Sequence, residues 1–143
     1  MIHVTRIEKF NAAHRLHNSS KSDEWNRQVY GVCNHENWHG HNYVLEVTVS
    51  GEPDPDTGYV IDLGTLKQVI RKRIVAKCDH RNLNLDVEFL KGIIPSTENL
   101  VLAFFKELKD DIAEACTNGG QLRSVKLYET DNNWAEYISP AFL

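Results

Sequence analysis

The chain has 143 residues, of which 41% are hydrophobic and 25% are charged, and it predicts one globular domain over residues 1–143. The formal net charge of −4 argues against a nucleic-acid partner, because such partners generally require a basic face. No apolar run approaches the roughly 18 residues that span a membrane, and three scattered cysteines without a signal-peptide pattern lead us to expect a cytoplasmic protein.

The first third of the chain predicts two long strands separated by a loop. Residues 2–15 form the first strand, and its apolar alternation shifts between Val4 and Ile7, which predicts a bulge. The polar segment 18–37 predicts a long loop, and such loops in small domains are often functional. Residues 42–49 follow a two-residue alternation and predict the second strand.

The rest of the chain predicts helices followed by further strands. Turn-forming residues at 52–58 reverse the chain, and a short strand is expected at 59–61. Asp62 suits the position that caps the start of a helix. The remaining predicted elements are helices at 62–77 and 95–116 and strands at 121–130 and 134–138. This order indicates an α+β domain with a mainly antiparallel four-stranded sheet and both helices on one face.

Three histidines lie where pairing of the first two strands would bring their side chains together. His39 and His41 flank Gly40, and the two-residue repeat of a strand places both on its apolar face. His14 continues the apolar face of the first strand. Three neutral imidazoles suit zinc and leave a fourth position open, which is typical of catalysis. Strand alternation alone leaves open whether these residues bind a metal or are ordinary core histidines.

Cys33, Asp79 and His80 are candidates for proton transfer. Cys33 lies in the polar loop six residues before His39, where a nearby metal ion would favour the reactive thiolate. The alternative is an inert loop thiol. Asp79 and His80 follow the first long helix and form a candidate pair in which the carboxylate orients the imidazole. The alternative for this pair is a solvated polar loop.

Glu129 is a candidate ligand-binding residue in the strand at 121–130. It shares a face with Val125 and Leu127, so its carboxylate points inward and requires a partner. A ligand with a guanidine-like N–C–N donor edge would satisfy both oxygens, and a salt bridge to lysine or arginine is the alternative. Thr97 and Glu98 fall in the first turn of the second long helix, where they complement exposed N–H groups and the helix dipole.

Six segments together resemble the 6-pyruvoyl-tetrahydropterin synthase and 6-carboxytetrahydropterin synthase family over nearly the whole chain. Each segment alone is a weak signal, and their occurrence in this order makes the resemblance specific. The segments are Phe10–Leu16, Cys33–Tyr43, Gly51–Gly58, Asp79–Asn84, Ser96–Asn99 and Tyr128–Asn133.

The resemblance implies a role for each candidate residue. The zinc ligands of the family correspond to His14, His39 and His41. Its catalytic triad corresponds to Cys33, Asp79 and His80. Its pterin-binding residues correspond to Glu129, Thr97 and Glu98. The resemblance also implies the tunnelling fold, in which three subunits join their sheets into a β-barrel, two trimers stack as a homohexamer, and active sites lie between subunits.

The implied reaction converts 7,8-dihydroneopterin triphosphate to 6-pyruvoyl-tetrahydropterin with loss of triphosphate. Carboxy-forming enzymes of queuosine synthesis use the same substrate, but the spacing from Cys33 to His39 matches the pyruvoyl-forming branch better. Glu36 departs from that pattern, since in a third branch a glutamate there replaces the cysteine and the product is 6-hydroxymethyl-7,8-dihydropterin. Glu36 is therefore either a second base or a solvated loop residue. A non-catalytic pterin- or purine-binding module is the last alternative, and the presence of the complete triad argues against it.

Overall fold

The computed structural model describes residues 1–143 and contains five strands and four α-helices. The strands are β1 (Ile2–His14), β2 (His39–Gly51), β3 (Arg81–Asn82), β4 (Gln121–Thr130) and β5 (Asn133–Ile138). The helices are α1 (Asp23–Tyr30), α2 (Leu63–Ile70), α3 (Ala76–Cys78) and α4 (Thr97–Ala115). The strands form one sheet in the order β3-β1-β2-β4-β5, antiparallel except for the β1–β3 pair. The α+β class is confirmed, whereas the expected sheet of four antiparallel strands is wrong.

The helices that cover the sheet begin at side-chain caps. Asp62 accepts a hydrogen bond from the Thr65 amide at 2.8 Å, and Ser96 accepts one from the Asn99 amide at 3.2 Å. Helix α2 continues through a π-helical turn, Arg71–Val75, into α3, so the helical segment ends close to its predicted position. None of the helices combines the length and apolar character needed to cross a membrane.

The hydrophobic core fills the space between one face of the sheet and two helical segments, the continuous α2–α3 segment and α4. Its largest fully buried side chains include Tyr43, Leu45, Leu66, Ile70, Phe104, Leu108 and Leu127. At one end of this layer the inward-facing positions are no longer apolar, because β1 ends at His14 and β2 begins at His39. The sheet therefore carries a polar cluster at the edge of an apolar core.

The bulge expected in β1 is wrong. Pairing of β1 with β2 runs without interruption along the strand, and Ile7 faces away from the helices with half of its surface exposed. Its inward neighbour is Glu8, which is buried and accepts hydrogen bonds from Arg6 at 2.8 Å and Arg71 at 3.0 Å. Because these arginines satisfy the carboxylate, a charged residue occupies a position where the apolar pattern predicted Ile7.

Residues 59–61 form a bend rather than the expected strand, although Val60 and Ile61 are buried. Both edges of β2 are already paired, with β1 on one side and β4 on the other, so no adjacent edge is free to receive another strand. The additional strand is β3, whose two residues pair with β1 next to His14. Asp79 and His80 directly precede this short strand, so its pairing with β1 places them at the end of the sheet where the histidines lie.

Candidate metal centre and surrounding residues

The pairing of β1 with β2 places the three histidines together. His14 lies opposite His39, and Ala12 lies opposite His41, so all three imidazoles project from the helix-facing side of the sheet. The ring centroids of His14 and His39 are 4.5 Å apart, and that of His41 is 5.0 Å from each. Candidate ligand atoms from the three side chains all lie within 4.8 Å of one another. The convergence expected from strand alternation is therefore confirmed.

The hydrogen bonds around His14 leave one ring nitrogen available to a metal. Its Nδ1 lies 2.9 Å from the Pro95 carbonyl oxygen, which only accepts, so Nδ1 carries the proton and Nε2 carries a lone pair. This Nε2, both ring nitrogens of His39 and Nε2 of His41 are buried without hydrogen-bond partners. Buried polar atoms are normally paired, and a set of orphaned imidazole nitrogens that face one another fits a metal ion rather than ordinary core histidines.

Burial also keeps His14 and His39 in the form that binds metals. It lowers the pKa of His14, and the neighbouring imidazoles add to this effect, while the hydrogen bond to Pro95 opposes it. Burial likewise lowers the pKa of His39, with a further contribution from His41. Because only the neutral imidazole has a free lone pair, a lowered pKa preserves the ligands at neutral pH.

Glu129 lies beside the cluster with its carboxylate partly satisfied. One oxygen accepts a hydrogen bond from the Thr97 hydroxyl at 2.9 Å, and the other lies 3.6 Å from Nε2 of His41. No lysine or arginine pairs with it, so the alternative of a structural salt bridge is not found. About a quarter of the Glu129 side chain is exposed, which leaves acceptor capacity for a ligand next to the metal position. Glu98 adjoins Thr97 but is exposed.

Asp79 and His80 form a contact and are held by a single strand residue. Nδ1 of His80 lies 3.0 Å from an Asp79 oxygen. The Asn11 amide donates to the other Asp79 oxygen at 3.0 Å, and its carbonyl accepts from the His80 amide at 2.7 Å. The hydrogen bond from Asn11 is the main cause of a lowered Asp79 pKa, and His80 adds to it. His80 also adopts a left-handed backbone with φ of 59°, an uncommon conformation that persists only where the surroundings hold it.

The Asp79–His80 pair does not join the histidine cluster of the same chain. The His80 side chain is 77% exposed and lines a cavity of about 680 Å³ together with Asn11, His41 and Asn42. Side chains alternate along each strand, so Asn11 and Asn42 project from the sheet face opposite to that of His41. Within one chain, the pair lies at the open end of the sheet and forms no hydrogen bond or ring contact with the three histidines.

Cys33 lies in a 3₁₀ turn, Gly31–Asn34, which we call the Cys33 turn. The residue is half-buried, and its carbonyl accepts a hydrogen bond from the Leu16 amide at 2.9 Å. Glu36 is exposed, forms no ion pair, and lines a surface cavity of about 390 Å³ with Arg15 and other residues. Glu36 thus has the surroundings of a solvated loop residue.

Sequence reasoning missed three groups near these residues: the Pro95 carbonyl beside His14, the Asn11 backbone beside Asp79 and His80, and the Asn34 side-chain amide, which donates to the Leu16 carbonyl at 2.7 Å next to Cys33. Two of them act through main-chain atoms, which every residue type supplies, so no residue type marks them. The only available signal for Pro95 was its position just before the start of a helix. Asn34 was a visible polar residue beside Cys33, but its burial depends on the packing of the loop.

Comparisons with known proteins agree with one another. A family profile described as 6-pyruvoyl tetrahydropterin synthase matches residues 3–140. The chain is 41% identical to human 6-pyruvoyl tetrahydrobiopterin synthase over 134 residues, covering 94% of this chain and 89% of that protein. It is 31% identical to 6-carboxy-5,6,7,8-tetrahydropterin synthase of Rickettsia typhi, covering 95% and 99%. The structure of 6-pyruvoyl tetrahydropterin synthase from Caenorhabditis elegans superposes with a TM-score of 0.85 at 37% identity, covering 96% and 95% of the two chains.

Proposed function

Because this chain belongs to the 6-pyruvoyl tetrahydropterin synthase family of lyases, we propose that it converts 7,8-dihydroneopterin triphosphate to 6-pyruvoyl-tetrahydropterin with loss of triphosphate. The observation that carries the proposal is the three-histidine cluster beside the Glu129 carboxylate. In this arrangement, one small molecule can contact a metal ion held by the histidines and also donate hydrogen bonds to Glu129. The human relative, whose name states this activity, supports the choice of product.

We assign zinc to the cluster formed by His14, His39 and His41. Imidazole nitrogens are common zinc ligands, and three protein ligands leave one coordination position for substrate. When bound, zinc would polarise the hydroxyls of the substrate side chain and lower their pKa. The chain's own contribution is to fix the ligands, since the Pro95 carbonyl holds the His14 ring and its proton in place.

Glu129 and Thr97 anchor the pterin ring in this proposal. The Glu129 carboxylate accepts hydrogen bonds from the 2-amino group and a ring N–H, which form a guanidine-like donor edge. The Thr97 hydroxyl already donates to one carboxylate oxygen and thereby fixes its orientation. Glu98, in the same first turn of α4, is proposed to contact the edge of the ring.

Cys33 moves protons at the side-chain carbons, and His80, oriented by Asp79, completes the proton transfer. Within one chain, no hydrogen bond or ring contact joins the Asp79–His80 pair to the three histidines. We therefore propose that these residues serve Cys33 of a neighbouring subunit, in a hexamer whose trimers join their sheets into a barrel. The outer edges of β3 and β5 have no partner strand within the chain and are available for such pairing. The cytoplasmic location of this assembly stays a prediction.

A second candidate product is 6-carboxytetrahydropterin, supported by the similarity to the Rickettsia typhi enzyme. The higher identity to the human protein favours the pyruvoyl product. Cleavage to 6-hydroxymethyl-7,8-dihydropterin through Glu36 has less support, because this residue is exposed and forms no ion pair with the cluster histidines. A non-catalytic binding module would not require Cys33, Asp79 and His80.

A product assay tests the proposal. The zinc-loaded protein is incubated with 7,8-dihydroneopterin triphosphate, and products are identified by mass. We expect release of triphosphate without loss of carbon. Loss of two side-chain carbons would indicate either the carboxy or the hydroxymethyl product, and the mass separates these two because they differ by one oxygen atom. No consumption of substrate would contradict an enzymatic role. Comparison of Cys33→Ala with Glu36→Ala then shows which residue each product requires.

A further inference from the structure

We infer that Asn34 is the positioning residue for Cys33: its buried amide fixes the Cys33 turn to the chain that follows the metal ligand His14. The inference rests on the proposed function, which gives Cys33 a role beside the metal. Asn34 does not contact the reacting atoms in this view. It sets where the thiol stands relative to them.

Asn34 is 7% exposed, and both N–H groups of its side-chain amide are used in hydrogen bonds. Its Nδ2 donates to the Leu16 carbonyl at 2.7 Å and to Nδ1 of His17 at 2.9 Å. Because Nδ1 of His17 accepts this hydrogen bond, that nitrogen carries no proton. Both acceptors belong to the segment that leaves β1 immediately after His14.

The backbone of the turn is tied to the same segment. The Leu16 amide donates to the Cys33 carbonyl at 2.9 Å, and Nε of Arg15 donates to the Asn34 carbonyl at 2.8 Å. Four hydrogen bonds therefore join residues 33–34 to residues 15–17. The positions of the Cys33 thiol and of the histidine cluster are therefore linked through one backbone segment, since His14 is the residue before it and the His14 ring is hydrogen-bonded to Pro95.

Apolar packing does not supply an alternative anchor for the Cys33 turn. Val32 is 88% exposed, and Gly31, the first residue of the turn, and His35, which follows it, are also exposed. Hydrogen bonds are directional, whereas apolar contacts are not, so they define the position of a thiol more narrowly. If only burial were required at position 34, an apolar side chain would serve equally well.

The expected consequence is a loss of rate without a loss of pterin binding. Glu129 and Thr97, which hold the ring in the proposed function, lie on β4 and α4 and share no hydrogen bond with the Cys33 turn. A displacement of about 1 Å at a reacting group can reduce the rate about 100-fold. For Asn34→Ala we therefore expect kcat to fall about 100-fold while KM changes by less than about twofold.

The experiment compares Asn34→Ala with the wild type and with Asn118→Ala. Asn118 is a matched control because its amide also faces two carbonyls, those of Glu52 and Pro53, beyond the opposite end of β2. Zinc content, kcat, KM and the rate of Cys33 alkylation by iodoacetamide with and without zinc are measured. Cys33→Ser gives the background, since the other two thiols are buried.

In the wild type and the control we expect zinc to change the alkylation rate, because the thiol is held near the metal. In Asn34→Ala we expect full zinc content, a selective loss of kcat and an alkylation rate that no longer responds to zinc. Unchanged kcat in this variant, a wild-type rate that does not respond to zinc, or an equal loss in Asn118→Ala would overturn the inference.

Two further points keep the result decisive. If Asn34→Ala does not fold, His17→Ala serves instead, because it removes only one acceptor of the Asn34 amide. We expect a smaller loss of kcat with the same KM. An unchanged kcat together with an unchanged response of Cys33 alkylation to zinc would overturn the inference. If the wild type turns over no pterin, the proposed function fails. The response of alkylation to zinc still decides the role of Asn34.

Discussion

The histidine cluster and the Asp79–His80 pair lie at the same end of the sheet but are held in different ways. The cluster sits on two long paired strands, and His14 is completely buried. The Asp79–His80 pair sits where a helix ends and a two-residue strand begins, with most of the His80 side chain exposed. The first group is fixed by regular structure and the second by a few hydrogen bonds to Asn11.

This contrast separates two demands of the proposed reaction. Metal ligands must be preorganised, and the sheet of one chain already provides their geometry. Proton transfer requires contact with the substrate, and within one chain the His80 imidazole is exposed in an open cavity. In the proposed hexamer, each subunit would supply all three metal ligands but would need a neighbouring subunit to bring Cys33, Asp79 and His80 together.

The largest expected effect comes from removing a metal ligand. We expect His39→Ala to weaken zinc binding by more than about 100-fold, because even the loss of a group that only orients a ligand costs about 10- to 100-fold. Metal analysis after dialysis measures this change. His3→Ala, at the far end of β1, is the control and should retain zinc. Stoichiometric zinc in His39→Ala would argue against the cluster as the metal site.

Mixing two inactive variants tests whether Cys33 of one subunit acts together with Asp79 and His80 of another. Cys33→Ala and His80→Asn are each expected to be inactive, but random co-assembly should restore about a quarter of wild-type activity if the residues come from different subunits. The variants are unfolded together, refolded and assayed against each variant refolded alone. Absence of any recovery in verified mixed assemblies would place the whole triad within one chain.

The pH dependence of the metal-free protein tests the burial of the cluster. Burial lowers the folded-state pKa of His14 and His39, so below 6.5 the unfolded chain binds protons that the folded chain does not. The resulting contribution to the free energy of unfolding is fully present above pH 6.5. It is lost as the pH falls, by on the order of 1 kcal/mol. Urea unfolding of the metal-free protein at about pH 7.5 and about pH 5.5 measures it. A stability that does not change over this interval would contradict the expectation.

The smallest expected effect concerns the left-handed backbone conformation of His80. His80→Gly and His80→Ala both remove the imidazole, but only glycine adopts the left-handed conformation without steric cost. We expect the glycine variant to be more stable by about 1 kcal/mol in thermal or urea unfolding. The same two changes at His35, where φ is −53°, are the control and should not favour glycine. Equal stabilities at position 80 would show that the conformation carries no strain.

Strand alternation predicted the histidine cluster because the information is local and repeats along long strands. Once β1 and β2 are assumed to pair, the faces of His14, His39 and His41 follow. Alternation failed where a polar residue found a partner distant in sequence, as Glu8 did with Arg71. It also failed for residues 59–61, because a strand requires a free edge and the neighbours of β2 already occupy both edges.

The Asp79–His80 region was harder to predict for a different reason. β3 has only two residues and no alternation, and it exists because residues 68 or more positions apart exchange hydrogen bonds. The identities of Asp79 and His80 indicated chemistry, but their placement beside β1 at the edge of the sheet depends on that pairing. Family resemblance supplied their role, and only the fold shows their separation from the cluster.

The uninterrupted register between β1 and β2 has a consequence for quality control during folding. A slip of one residue would turn His14 to the opposite face and separate it from His39, while most backbone hydrogen bonds of the ladder could still form. Such a chain would retain much of its sheet but no three-imidazole site. A metal ion held by the three imidazoles would therefore stabilise only correctly paired chains.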